Sequence, residues 1–170
     1  MYKRKYYKRP INRDKYSIEQ TNIISPPINE WPSVTSEDPT HQASSQYAIP
    51  IVPPIEEQGM RKVKHLTISM SNNTAGDTLP FFYSIVYVPQ GYDPQPIVVP
   101  ASGYAVGNYQ ANQFVMSSGV VDFSAGPTRI RSRLSRNLNS GDAIYLILAT
   151  TNASNTGYIV SQVQYAITLQ

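Results

Sequence analysis

Seven of the chain's 14 lysines and arginines fall within its first 16 residues: Lys3, Arg4, Lys5, Lys8, Arg9, Arg13 and Lys15. One acid, Asp14, opposes them, so this stretch carries +6. Residues 17–170 hold the other seven bases against ten acids, a net −3. The overall +3 is therefore the sum of a basic arm and a mildly acidic body. Clustered Lys and Arg neutralise phosphates and release counterions without reading sequence. Tyr2, Tyr6, Tyr7 and Tyr16 are interleaved among the cations, and an aromatic ring stacks on an unpaired base for roughly 1–3 kcal/mol. Together they are chemistry for holding a single-stranded polyanion. The run KRKYYKR at residues 3–9 also has the composition of a nuclear import signal.

A second cationic set is Arg129, Arg131 and Arg133, spaced by two. On a strand they point one way, opposite Ile130 and Leu134. Three like charges in a row repel unless an anion or acidic neighbours lie against them. They are either a phosphate-contacting patch or partners of carboxylates in the same or a neighbouring subunit. Arg61, Lys62 and Lys64 carry the same two readings.

Other chemistry finds little support. With no cysteine, disulfides and thiolate metal sites are excluded. His41 and His65 have no second ligand at a metal-binding spacing, and Asp93, Asp122 and Asp142 are scattered, so paired-carboxylate catalysis has no basis. No phosphate-binding glycine loop or nucleophile elbow occurs. We expect neither an enzyme nor a cofactor. No apolar run long enough for a membrane helix appears, and no apolar stretch follows the basic arm as a secretory signal would require. The expected setting is cytoplasm or nucleus.

The elements that must position these residues read as strands. Tyr and Pro are frequent, at 13 and 14, and charged residues are only 15%, which suits a β-domain with long loops. After the arm (1–16), residues 17–25 read as a strand. Residues 26–58 carry seven prolines and read as a long surface loop, with a short strand at Tyr47–Val52 and Trp31 as a packing anchor. Residues 60–71 alternate, with Leu66, Ile68 and Met70 on one face and Val63, His65, Thr67 and Ser69 on the other. Residues 81–89 and 143–150 are apolar on both faces, which predicts cover on both sides. Ile97–Val99, 112–123 (bent at Gly119), 128–135 and 158–169 complete the set. About eight strands without a helical period argue for an antiparallel sandwich or barrel.

The order of a basic arm, a Pro-rich loop, RKVK at Arg61–Lys64, RNLNSGD at Arg136–Asp142 within the run Arg129–Leu148, and a terminal strand resembles the capsid proteins of small circular single-stranded DNA viruses, the circovirus-like and nanovirus-like group. The resemblance implies an all-β fold: an eight-stranded antiparallel jelly roll over 17–170, with two four-stranded sheets ordered B-I-D-G and C-H-E-F. Its strands would be B (17–25), C (60–71), D (81–89), E (Ile97–Val99 or part of 112–118), F (112–123), G (128–135), H (143–150) and I (158–169). Residues 26–58 become the loop between B and C. The resemblance further implies a self-assembling T=1 shell of sixty copies, whose arms face inward. There Lys3, Arg4, Lys5, Lys8, Arg9, Arg13 and Lys15 contact the genome backbone, Tyr6 and Tyr7 stack on bases, and Arg129, Arg131 and Arg133 are a second contact. The implied partners are other copies, a single-stranded DNA genome, a host nuclear import receptor and a cell-surface receptor, without membrane insertion. The implied locations are the virion and the host nucleus. Two other readings stay open: a non-viral single-stranded nucleic-acid binder with an OB-like barrel, and the capsid of a small RNA or satellite virus.

Overall fold

Ten strands build two antiparallel five-stranded sheets. The computed structural model describes residues 16–169 apart from 36, 57–58, 74–79, 102–110 and 152–153. The strands are β1 (Ser17–Ile24), β2 (Ser33–Val34), β3 (Ser44–Val52), β4 (Arg61–Asn72), β5 (Phe81–Val88), β6 (Phe114–Val121), β7 (Thr128–Ser132), β8 (Arg136–Leu138), β9 (Ala143–Thr150) and β10 (Ile159–Leu169). One sheet runs β1-β10-β4-β7, with β8 also pairing β4; the other runs β2-β3-β9-β5-β6. Between them lies a single core. Leu66, Ile68 and Val163 face Ile49, Ile85, Leu146 and Leu148 across it. Trp31 is buried at one end, stacked 5.9 Å from Tyr47 and edge-on to Phe81 at 6.4 Å. Its indole N–H donates to the Pro26 carbonyl at 2.9 Å, so it is the anchor its position suggests.

Several expectations need correction. The short strand expected at Tyr47–Val52 in the Pro-rich stretch is present but longer: β3 runs from Ser44 to Val52 and takes nine residues of that stretch into a sheet. Pro50 lies inside that strand. It is tolerated because β3 is an edge over most of its length: β2 covers only Ser44 and Ser45, so a missing N–H removes no ladder bond on that side. With β3 in place, the sheet partners exchange. Residues 60–71 were expected beside 143–150, but β4 pairs with β10 and β7. Residues 81–89 were expected in the first sheet, but β5 pairs with β9 and β6. Ile97–Val99 forms no strand. The 128–135 segment ends at Ser132, and a separate β8 follows. The irregularity of 112–123 falls at Met116, where the register with β5 shifts, and not at Gly119.

Val63 is the clearest case of a misread face. His65 has φ 54°, and two residues of β4, His65 and Leu66, oppose the single Tyr165 of β10. This bulge flips the alternation. Arg61 and Val63 before it therefore point into the core with Leu66, Ile68 and Met70 after it, while His65 is exposed.

The double apolarity of β5 and β9 has an internal cause. Ile97 and Val99 lie over the outer face of the second sheet, on Val86, Val88, Ile147 and Ala149. Pro94 and Pro96 have no N–H and keep this strap out of any ladder. The intervening peptides are held by two buried glutamines acting as surrogate backbone. Ile97 N–H donates to Gln46 Oε1, and Gln46 Nε2 donates to the Ile97 carbonyl, both at 2.8 Å. Gln95 N–H donates to Gln113 Oε1 at 2.8 Å, and Gln113 Nε2 returns to the Gln95 carbonyl at 3.3 Å. The apolar outer face of β9 is thus covered by its own chain and does not by itself call for a neighbouring subunit.

Candidate nucleic-acid interface

All seven lysines and arginines after residue 16 lie in β4, β7, β8 or the short link between the last two. Two of them serve structure. Arg61 is buried and donates to the carbonyls of Pro53 at 3.1 Å and Asp142 at 3.0 Å. Arg136 lies over the Tyr87 ring at 4.1 Å and near Phe114 at 5.3 Å. Between them Asp142, also buried, accepts from the Tyr87 hydroxyl at 2.8 Å and from the backbone N–H groups of Gln90 (3.1 Å) and Asn139 (2.8 Å). Burial, then the hydrogen bond to Asp142, push the Tyr87 pKa up. Gly141 closes this turn at φ 78°, with Gln90 packed where a side chain would stand. The stretches RKVK and RNLNSGD therefore meet by direct pairing of β4 with β8, and their shared arginines and aspartate tie the two sheets together.

The remaining five cations are at the surface. Arg129 and Arg131 are exposed on one face of β7, and Arg133 is exposed just past its end. Lys62 and Lys64 are half-buried on the outer face of β4. Among the described residues, none of the three arginines meets a carboxylate, so the alternative of intrachain ion pairing is not realised within the described part of the chain. The only acid in the strands of this sheet, Glu19, sits on the same side of β1 as Ile23, which packs toward the core. It therefore faces away from the cations.

Register turns this outer face into lanes. Gln20, Gln164, Thr67 and Arg131 lie side by side across β1, β10, β4 and β7. Asn22, Gln162, Ser69 and Arg129 form the adjacent lane. Each lane offers amide and hydroxyl groups, which donate and accept, and ends in a guanidinium. Sequence alternation groups Gln162 and Gln164 on one face of the last strand. It does not reveal their lanes with Gln20 and Asn22, because that depends on pairing between distant segments.

The arm residues Lys3, Arg4, Lys5, Tyr6, Tyr7, Lys8, Arg9, Arg13 and Lys15 lie outside the described residues. The chain nevertheless enters the fold on this same face. Tyr16, directly before β1, has the Lys64 ammonium 4.5 Å from its ring centre. The root of the +6 arm thus adjoins the cation-bearing lanes.

Elsewhere the chemistry is sparse. A hollow of about 300 Å³ beside the strap is lined by Pro32, Tyr47, Pro94, Pro96 and Ile147, with no titratable side chain apart from Tyr47. Among the described residues no group of three His, Asp or Glu gathers as a metal site, and no helix is long and apolar enough to cross a membrane. No protein-family model matches the chain, and no curated protein matches it.

Proposed function

We propose that the chain is a viral capsid protein with a jelly-roll fold, which assembles into a sixty-copy T=1 shell and packages single-stranded DNA. The observation that carries this reading is the strand order. Leaving out the two shortest strands, β2 and β8, the eight others number in chain order as 1-8-3-6 in one sheet and 2-7-4-5 in the other. That matches the order B-I-D-G and C-H-E-F expected of a jelly roll, a recurrent capsid architecture, and so supports this reading. Two open sheets with free edges also fit a sandwich better than the closed barrel of an OB-like binder.

The cargo reading rests on the side of the sandwich that carries charge. The arm and the outer face of β1-β10-β4-β7 are the cationic surfaces, and they adjoin at Tyr16. In a shell this face and its arms point inward. Sixty arms at +6 bring on the order of 360 positive charges against about one negative charge per nucleotide, and the five surface cations Lys62, Lys64, Arg129, Arg131 and Arg133 add to them. The arm carries the KRKYYKR import run, which fits assembly in the host nucleus.

Expression of the full chain and negative-stain microscopy test the shell, with closed particles of uniform small diameter as the expected result. Nuclease digestion of the extracted cargo distinguishes DNA from RNA. A protein that stays monomeric with and without nucleic acid, at any salt, overturns the capsid reading and leaves the non-viral binder.

A further inference from the structure

The four sheet edges are not equally defended. Exposed edges are ready templates for strand addition, and proteins blunt them with short strands, proline, bulges or basic residues. The β3 edge has Pro50 and a register shift beside it. The β6 edge has the Met116 bulge. The β7 and β8 edges are five and three residues long and carry arginines. Strand β1 has none of these devices beyond a single charge on its core-side face. It runs eight residues in unbroken register with β10, has no proline or basic residue, and has Glu19 as its one charge. Among the described residues no strand pairs with its other side. Its side chains are exposed almost throughout, with Ile18 at 68% and Ile24 at 65%.

We infer that β1 is a homotypic docking edge, pairing antiparallel with β1 of a second copy about a two-fold axis at Thr21. The register follows from the backbone. Ser25 N–H donates to the Ile159 carbonyl at 2.9 Å, so odd-numbered residues turn their peptide groups toward β10. Ile18, Gln20, Asn22 and Ile24 turn theirs to the free edge. Only the pairing that sets Ile18 against Ile24 and Gln20 against Asn22 uses all four in both copies.

The side chains fit that same register. Ile18 lies beside Ala166, and Ile24 beside Val160. Pairing builds an apolar row of Ala166, Ile18, then Ile24 and Val160 of the other copy, and covers the two most exposed isoleucines. The next row is Gln164, Gln20, then Asn22 and Gln162 of the other copy, an unbroken line of amides. Glu19 falls opposite Ile23, so the two like charges stay apart. Apolar meets apolar and amide meets amide, as an isologous contact requires.

The chain lacks cysteine, so one introduced thiol reports unambiguously. Thr21→Cys places two thiols at a non-hydrogen-bonded pair with Cα atoms about 4.5 Å apart, within disulfide range. Ser17→Cys, on the same strand and equally exposed, places them about 27 Å apart. Under mild oxidation of the full chain, the Thr21→Cys variant should run as a covalent dimer and Ser17→Cys as a monomer, a difference of at least tenfold in dimer yield. Adding Asn22→Pro, which removes a free-edge N–H without touching the β10 ladder, should abolish the Thr21→Cys dimer. Equal cross-linking at 17 and 21, or none at 21, overturns the proposal.

Discussion

The two sheets of this sandwich solve opposite problems with the same strand chemistry. The strands of the second sheet contain no charged residue at all, and the outer face of β5 and β9 is covered by a strap of its own chain. The first sheet keeps its outer face open and polar, and it collects every cation of the body. An uncharged strand face needs a cover; a face built of Gln, Asn, Ser, Thr, Lys and Arg needs none, because water satisfies it. The asymmetry is thus one between a covered apolar face and an open polar one.

The strap is where the comparison breaks most visibly. Ile97→Ala removes a buried side chain from the cover, and about 2–5 kcal/mol of stability should go with it. Gln46→Ala leaves the Ile97 N–H and carbonyl unpaired at a buried site, for about 2 kcal/mol. Urea midpoints measure both; unchanged midpoints would mean that the second sheet does not depend on its cover.

The corner that joins the sheets should respond to alkali. The Tyr87 pKa is raised above its ordinary value of 10.0, first by burial and then by Asp142. The folded state therefore holds this proton longer than the unfolded chain does. Its contribution is fully present below pH 10.0 and is lost as pH rises through the folded pKa. Tyr165, buried and facing Glu19, shifts the same way. Thermal melts across this range should fall less steeply for Tyr87→Phe than for the parent chain, with the residual slope due to Tyr165.

The open sheet should be nearly indifferent to loss of its charges as far as folding goes. Replacing Arg129, Arg131 and Arg133 together with Gln should change stability by no more than about 0.5 kcal/mol. Binding to a single-stranded oligonucleotide should lose about 2 from the log–log salt slope, at roughly 0.7 per phosphate contact. An unchanged slope would return these arginines to the role of subunit contacts.

Much of this was legible in the sequence, and the failures have physical causes. Alternation located nearly every long strand, and the double apolarity of 143–150 announced a cover. It could not say that Ile97 and Val99 supply the cover, since that depends on two glutamine side chains reaching across the fold. Read as a minor piece of a loop, the strand at Tyr47–Val52 is not counted among the eight, and that miscount moves two strands into the wrong sheets. The bulge at His65 reversed the face of Val63, because a positive φ at a histidine has no periodic signature. The cationic arm and the Arg129 set could be read directly from spacing. The amide lanes could not, because they exist only once β1, β10, β4 and β7 lie side by side.

The central claim is that nucleic acid is held by the arm together with the open sheet. Deleting residues 2–15 tests it most directly, since the described fold begins at Tyr16 and should survive. Particles of the truncated chain should assemble with a ratio of absorbance at 260 to 280 nm that falls from that of a nucleoprotein to that of protein alone. Adding the triple arginine replacement should remove any remainder. Truncated particles with the full-length ratio would contradict the account.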